Sequence, residues 1–151
     1  MGSSGKATMH GLTKDDGALI AFVRLCFLSS AIDHAELQCW SLKMIGEIDK
    51  YPLYLLDLMD FTGPRFHIIN IIGFTPSADH GDNIERTIDQ IALHRKGITT
   101  DAIAKEDLEA ASWVNPTVVE QFNRVFEGCV PRLNPETAQP INKEALCHTV
   151  Q

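Results

Sequence analysis

The chain has 151 residues, 44% of them hydrophobic, and a formal charge of −7 from 20 acidic and 13 basic side chains. That length supports a buried core, and the composition excludes a chain disordered throughout. The acidic field opposes binding to nucleic-acid phosphates or anionic membranes and favours a basic protein partner, beyond its plain role in solubility.

Residues 1–17, MGSSGKATMHGLTKDDG, are small and polar, lack the apolar core of a secretory signal, and read as a flexible N-terminal segment. From Ala18 to Leu28, the residues Leu19, Phe22, Val23, Cys26 and Phe27 recur at helical spacing. This run is about half a membrane span and carries Arg24, so it reads as a core helix. Asp33 followed by Glu36 resembles a capping box. The helix it opens has Leu37, Trp40, Met44, Ile45 and Ile48 on one stripe, with Gln38, Lys43, Glu47 and Asp49 on the wetter side.

Pro52 disfavours helical geometry at Tyr51 but suits the first turn of a new helix, so the chain is expected to stop, turn and restart there. Leu53, Leu55, Leu56, Leu58 and Met59 then predict a short helix, apolar on most sides and central to the core. Residues 65–74, RFHIINIIGF, suit a strand by β-branching, but an isolated strand leaves its backbone unpaired. A helix with Phe66, Ile69 and Ile72 on one face, ended by Gly73, fits its surroundings better.

After a polar loop at 75–83, Ile84, Ile88, Ile91 and Leu93 predict a helix ending at Gly97. Thr99–Thr100 offers a cap for a helix carrying Ile103, Ala104, Leu108 and Ala111. Asn115–Pro116 opens another, with Val118, Val119, Phe122, Val125 and Phe126 inward and Gly128 as its stop. Residues 129–151 read as a Pro-containing tail. The expected fold is therefore all-α, a single compact domain of about six or seven helices over residues 18–128.

Cys26, Cys39, Cys129 and Cys147 show no CxxC spacing. Cys26 and Cys39 fall in apolar helical patterns, where a free thiol packs as a small hydrophobe, and a reduced, cytoplasmic protein is expected.

The loop Asp79-His80-Gly81-Asp82 gathers two carboxylates and an imidazole, groups that a divalent metal or a general acid–base pair uses. They match no recognised ligand spacing, and a solvated loop whose Asp82 or Ser77 caps the next helix is the simpler reading. No HExxH, GxSxG or P-loop occurs. The expectation is a non-enzymatic protein without a cofactor or metal. A small enzyme using Asp79, His80 and Asp82 is the alternative.

Residues 97–128 resemble a helix-turn-helix unit, which offers a third reading, a DNA-binding regulator. Between Arg95 and Arg124, however, four basic residues face five acidic ones, and a recognition helix from Asn115 carries only Arg124 as a cation. Charge therefore opposes duplex binding. Asp82, Glu85 and Asp89 share a helix face by spacing, and with Asp79 they make a carboxylate patch suited to a partner's arginines and lysines. An ordinary charged outer face near a helix start is the plainer account of the same residues.

The run HAELQCWSLKMIGEIDKYPLYLLDLMDF, with Trp40, Asp49, Pro52, Asp57 and Leu58, resembles small bacterial immunity proteins of contact-dependent inhibition or polymorphic toxin systems. In these, a Trp-bearing helix precedes an acidic–Pro turn and a short Asp-Leu helix. The resemblance covers less than a fifth of the chain, and its residues look structural, so none carries over as a toxin contact. It implies a cytoplasmic, toxin-binding antitoxin. Combined with the net charge, it points to a basic toxin met by Asp79, Asp82, Glu85 and Asp89.

Overall fold

The computed structural model describes residues 11–76, 82–97 and 112–137. Within them the fold is all-helical: α1 (Ala18–Leu28), α2 (His34–Glu47), α3 (Tyr54–Leu58), a 3-10 turn (Arg65–His67), α4 (Ile68–Ile72), α5 (Asp82–Lys96) and α6 (Pro116–Val125). The helix expected after Thr99–Thr100 lies outside the described residues. The described chain forms two compact units, residues 11–28 with 32–76, and residues 29–31 with 82–97 and 112–137.

In the first unit, α1 is buried almost all round, with Ile20, Phe22, Val23, Cys26 and Phe27 fully covered. The capping box of α2 forms as expected: Asp33 Oδ1 accepts from the Glu36 backbone N–H at 2.8 Å, and Glu36 Oε1 accepts from the Asp33 N–H at 3.0 Å. Leu37 and Trp40 of α2 are buried, and Ile48 caps the helix in an extended conformation. Met44 and Ile45, expected on the same stripe, are only half-buried.

The next helix, expected to restart at Pro52, begins two residues later at Tyr54, with Leu53 as its N-cap and the Pro52 carbonyl accepting from the Leu55 N–H at 3.1 Å. The Ser41 hydroxyl donates to the Leu55 carbonyl at 2.6 Å and fastens α3 to α2.

Three further expectations for this unit are corrected. Helix α3 is one-sided rather than central: Tyr54, Leu55 and Leu58 are buried, whereas Leu53 is 74% exposed and Leu56 40%. Residues 65–72 are helical, but Ile68 and Ile72 point inward while Phe66 is exposed. The 3-10 turn before α4 shifts the helical phase, so the Phe66–Ile69–Ile72 stripe of a continuous helix does not form. Cys39 is an exposed, disulfide-bonded residue rather than a packed thiol, while Cys26 is free and buried.

Within residues 11–17, Gly11 and Leu12 pack against this core. Leu12 is buried and its carbonyl accepts from the Tyr54 hydroxyl at 2.6 Å. Gly11 sits at φ 79°, and a Cβ there would lie 2.6 Å from Leu19 Cβ, so only glycine fits. Arg65 gathers the turn after α1: its Nη1 donates to the Phe27 carbonyl at 2.6 Å and the Ile32 carbonyl at 2.9 Å, with the guanidinium 4.6 Å over the Phe27 ring.

In the second unit, Ile84, Ile88 and Ile91 of α5 and Val118, Val119 and Phe122 of α6 are buried, and these two helices pack together. Asn115 caps α6 by accepting from the Thr117 N–H at 3.1 Å, with Pro116 in the first turn, as its sequence predicts. Beyond α6, Leu133 is buried, and the Trp113 indole N–H donates to the Asn134 carbonyl at 2.7 Å. Cys129 is disulfide-bonded.

Candidate functional site

Helix α5 carries the described part of the expected carboxylate patch. Its inner face holds Ile84, Ile88 and Ile91, interleaved with buried Thr87 and Gln90. The Thr87 hydroxyl donates to the Asn83 carbonyl at 2.8 Å, a local bond that removes its need for water. Gln90 clamps the chain before α6: its Nε2 donates to the Ser112 carbonyl at 3.0 Å and its Oε1 accepts from the Val114 N–H at 2.8 Å.

This inner anchoring fixes which side of α5 faces out. Glu85 is exposed and Asp89, one turn later, is half-buried. Burial, and secondarily the Glu85 charge, push the Asp89 carboxyl above its usual range. Asp82 is the first residue of α5. Asp79 and His80 lie outside the described residues, so the loop invoked for metal or acid–base chemistry lies largely there too. Arg86 is exposed in the same stretch of helix.

The basic end of α5 is put to structural use. Arg95 donates to the Ala31 carbonyl and lies 5.9 Å over the Phe122 ring. His94 is buried edge-on to Trp113, with ring centroids 5.2 Å apart. The first turns of α5 therefore carry its outward acids, while His94 and Arg95 of its last turn serve the core.

On α6, Glu120 and Arg124 are exposed, and both line a cleft of about 460 Å³ with Asn123, Glu127 and Arg132. Cations and carboxylates alternate there, so the outer surface of α6 offers no run of positive charge.

Gln90 and Asn123 are the important residues that periodicity did not single out. Each is a polar side chain on an otherwise apolar stripe, which is the signal that marks a backbone clamp. Arg65 showed no such signal, because its two carbonyl partners lie more than thirty positions earlier in the chain.

Among the described residues, no three of His, Cys, Asp and Glu are grouped as a metal would need, and no helix is long and apolar enough to cross a membrane. Comparison with protein-family models, curated proteins and solved structures gave no match.

Proposed function

We propose that this chain is a non-enzymatic immunity protein that neutralises a cognate toxin domain through an acidic surface on and before α5. The observation that carries this reading is the pairing of exposed Glu85 with half-buried Asp89, whose carboxyl is raised in part by its neighbour's charge. Two like charges held one turn apart cost free energy that a partner's arginine or lysine would recover on binding. The net charge of −7 adds long-range steering of a basic partner. The partner is a basic protein toxin, and the interaction needs neither nucleic acid, membrane nor cofactor. The reading places the chain in the cytoplasm, where disulfides are uncommon. The disulfide state of Cys39 and Cys129 is the feature that weighs against that compartment.

The test begins with gentle, low-salt purification from the native host and native mass spectrometry. A stoichiometric basic protein whose toxic activity falls on adding this chain supports neutralisation. The quadruple variant Asp79→Asn, Asp82→Asn, Glu85→Gln, Asp89→Asn then weakens binding and flattens its salt dependence, with the helical circular dichroism unchanged. Full affinity in that variant would sink the assignment of the surface. A bare protein that retains a metal and loses it in His80→Ala would replace neutralisation with the enzyme reading.

A further inference from the structure

The exposed face of α3 combines apolar and acidic side chains. Helical backbone extends one residue beyond each end of α3, through Leu53 and Met59. At about 100° per residue, Leu53, Leu56 and Met59 fall along one arc of this helix, with Asp57 beside Leu53 at its edge and Asp60 following Met59 in the chain. Tyr54, Leu55 and Leu58 occupy the opposite arc and are buried. Leu53 is 74% exposed, Leu56 40% and Met59 36%, and both aspartates are exposed. Single exposed leucines are ordinary, but three on one arc of a short helix form an apolar strip.

Charge identifies what the strip is suited to meet. From Tyr51 to Pro64 there is no lysine or arginine. Arg65, next in sequence, is turned to the Phe27 and Ile32 carbonyls, and Lys50 precedes the turn. A second copy of this face would bring the same two aspartates to the contact and no lysine or arginine from residues 51–64 to pair with them, which like-charge repulsion disfavours. We infer that the Leu53–Leu56–Met59 strip with Asp57 and Asp60 is a docking surface for a short amphipathic protein segment whose apolar face is flanked by lysine or arginine. The apolar side chains supply contact area, and the two aspartates fix orientation by pairing with the flanking cations. This surface belongs to the first unit and the α5 carboxylates to the second, and it does not depend on the partner being a toxin.

The experiment titrates the full-length, ¹⁵N-labelled protein with a synthetic leucine–lysine amphipathic helical peptide, using the matching leucine–glutamate peptide as control. The expected result is backbone shift changes centred on residues 53–60 with the lysine peptide and none with the glutamate peptide. Leu53→Ser with Leu56→Ser weakens that binding by about tenfold or more, as for loss of a central apolar anchor. Asp57→Asn with Asp60→Asn weakens it less and removes part of its salt dependence. Shift changes centred on α5 instead, equal binding of the glutamate peptide, or concentration-dependent shifts at 53–60 without peptide would each overturn the inference, the last by showing that a second copy is the occupant. Because the mapping is read on the unsubstituted protein, it decides the matter even if a variant fails to fold.

Discussion

Asn123 and Leu133 are joined by two hydrogen bonds of 2.8 Å: the Asn123 Nδ2 donates to the Leu133 carbonyl, and the Leu133 N–H donates to Asn123 Oδ1. Both residues are buried, so the amide side chain replaces the water that the Leu133 backbone has lost. Asn123→Ala leaves a buried donor and acceptor unpaired and is expected to cost about 2–3 kcal/mol in urea denaturation. Asn123→Asp keeps the acceptor but sets a carboxylate near the Leu133 carbonyl, so it destabilises by a similar amount. Native-state hydrogen exchange at the Leu133 amide should accelerate in both. Unchanged exchange would show that the clamp does not hold this segment.

Tyr54 anchors the start of the described chain through its bond to the Leu12 carbonyl. Burial pushes its phenol well above its usual range. A folded-state pKa above the unfolded value contributes stability that is complete below the unfolded pKa, near 10, and falls as pH rises past it. Tyr54→Phe is therefore less stable than the parent at pH 7, by about 1–2 kcal/mol for the orphaned carbonyl. That gap narrows above about pH 10, where the parent alone loses stability from this group. Denaturation curves at pH 7, 9 and 10.5 check both parts, and a gap independent of pH would contradict the account.

Asp89 has the same sign of shift with the opposite practical consequence. Its carboxyl is raised by burial and by Glu85, so its stabilising contribution is full below the unfolded value near 3.9 and is lost as pH rises through the folded value. At pH 7 the ionised group opposes folding, and Asp89→Asn should be the more stable protein. The gain is modest at a partly exposed site, under about 1 kcal/mol. It disappears on acidification to the unfolded value. Glu85→Gln should lower the Asp89 pKa in an NMR titration by removing the neighbouring charge. A stability gain paired with weaker partner binding is the outcome expected of a surface kept for recognition.

The cysteines differ in chemistry and are separable by alkylation. Cys39 and Cys129 are disulfide-bonded and Cys26 is a free, buried thiol. Without reductant, maleimide should leave all three unmodified in the folded protein. Denaturant alone should expose Cys26, and reductant should add Cys39 and Cys129, each assigned by peptide mass. Modification of Cys39 in the native, unreduced protein would contradict its oxidised state. Trapping thiols in living cells before lysis reports whether that state exists where the protein works, and so tests the cytoplasmic part of the proposed function.

The sequence by itself determined the helices and many of their ends. The Asp33–Glu36 box, the break before α3 at Pro52, the Asn115–Pro116 start and the Gly97 boundary of α5 are all set by residues a turn apart. Capping and 3.6-residue periodicity are local properties, and local properties are legible in order along a chain. Tertiary structure decided which apolar faces are covered. It turned Leu53, Leu56 and Phe66 outward, drew Ile68 inward, and made Gln90, Asn123 and Arg65 into backbone clamps. It also left Cys39 exposed and oxidised although it lies in an apolar helical pattern. For the candidate site, spacing alone put Glu85 and Asp89 on one face, whereas the partial burial that distinguishes Asp89 came from the packing of α5. A periodic stripe specifies that a surface is apolar. What covers it, and what remains for a partner, depends on segments distant in sequence that compete for the same buried area.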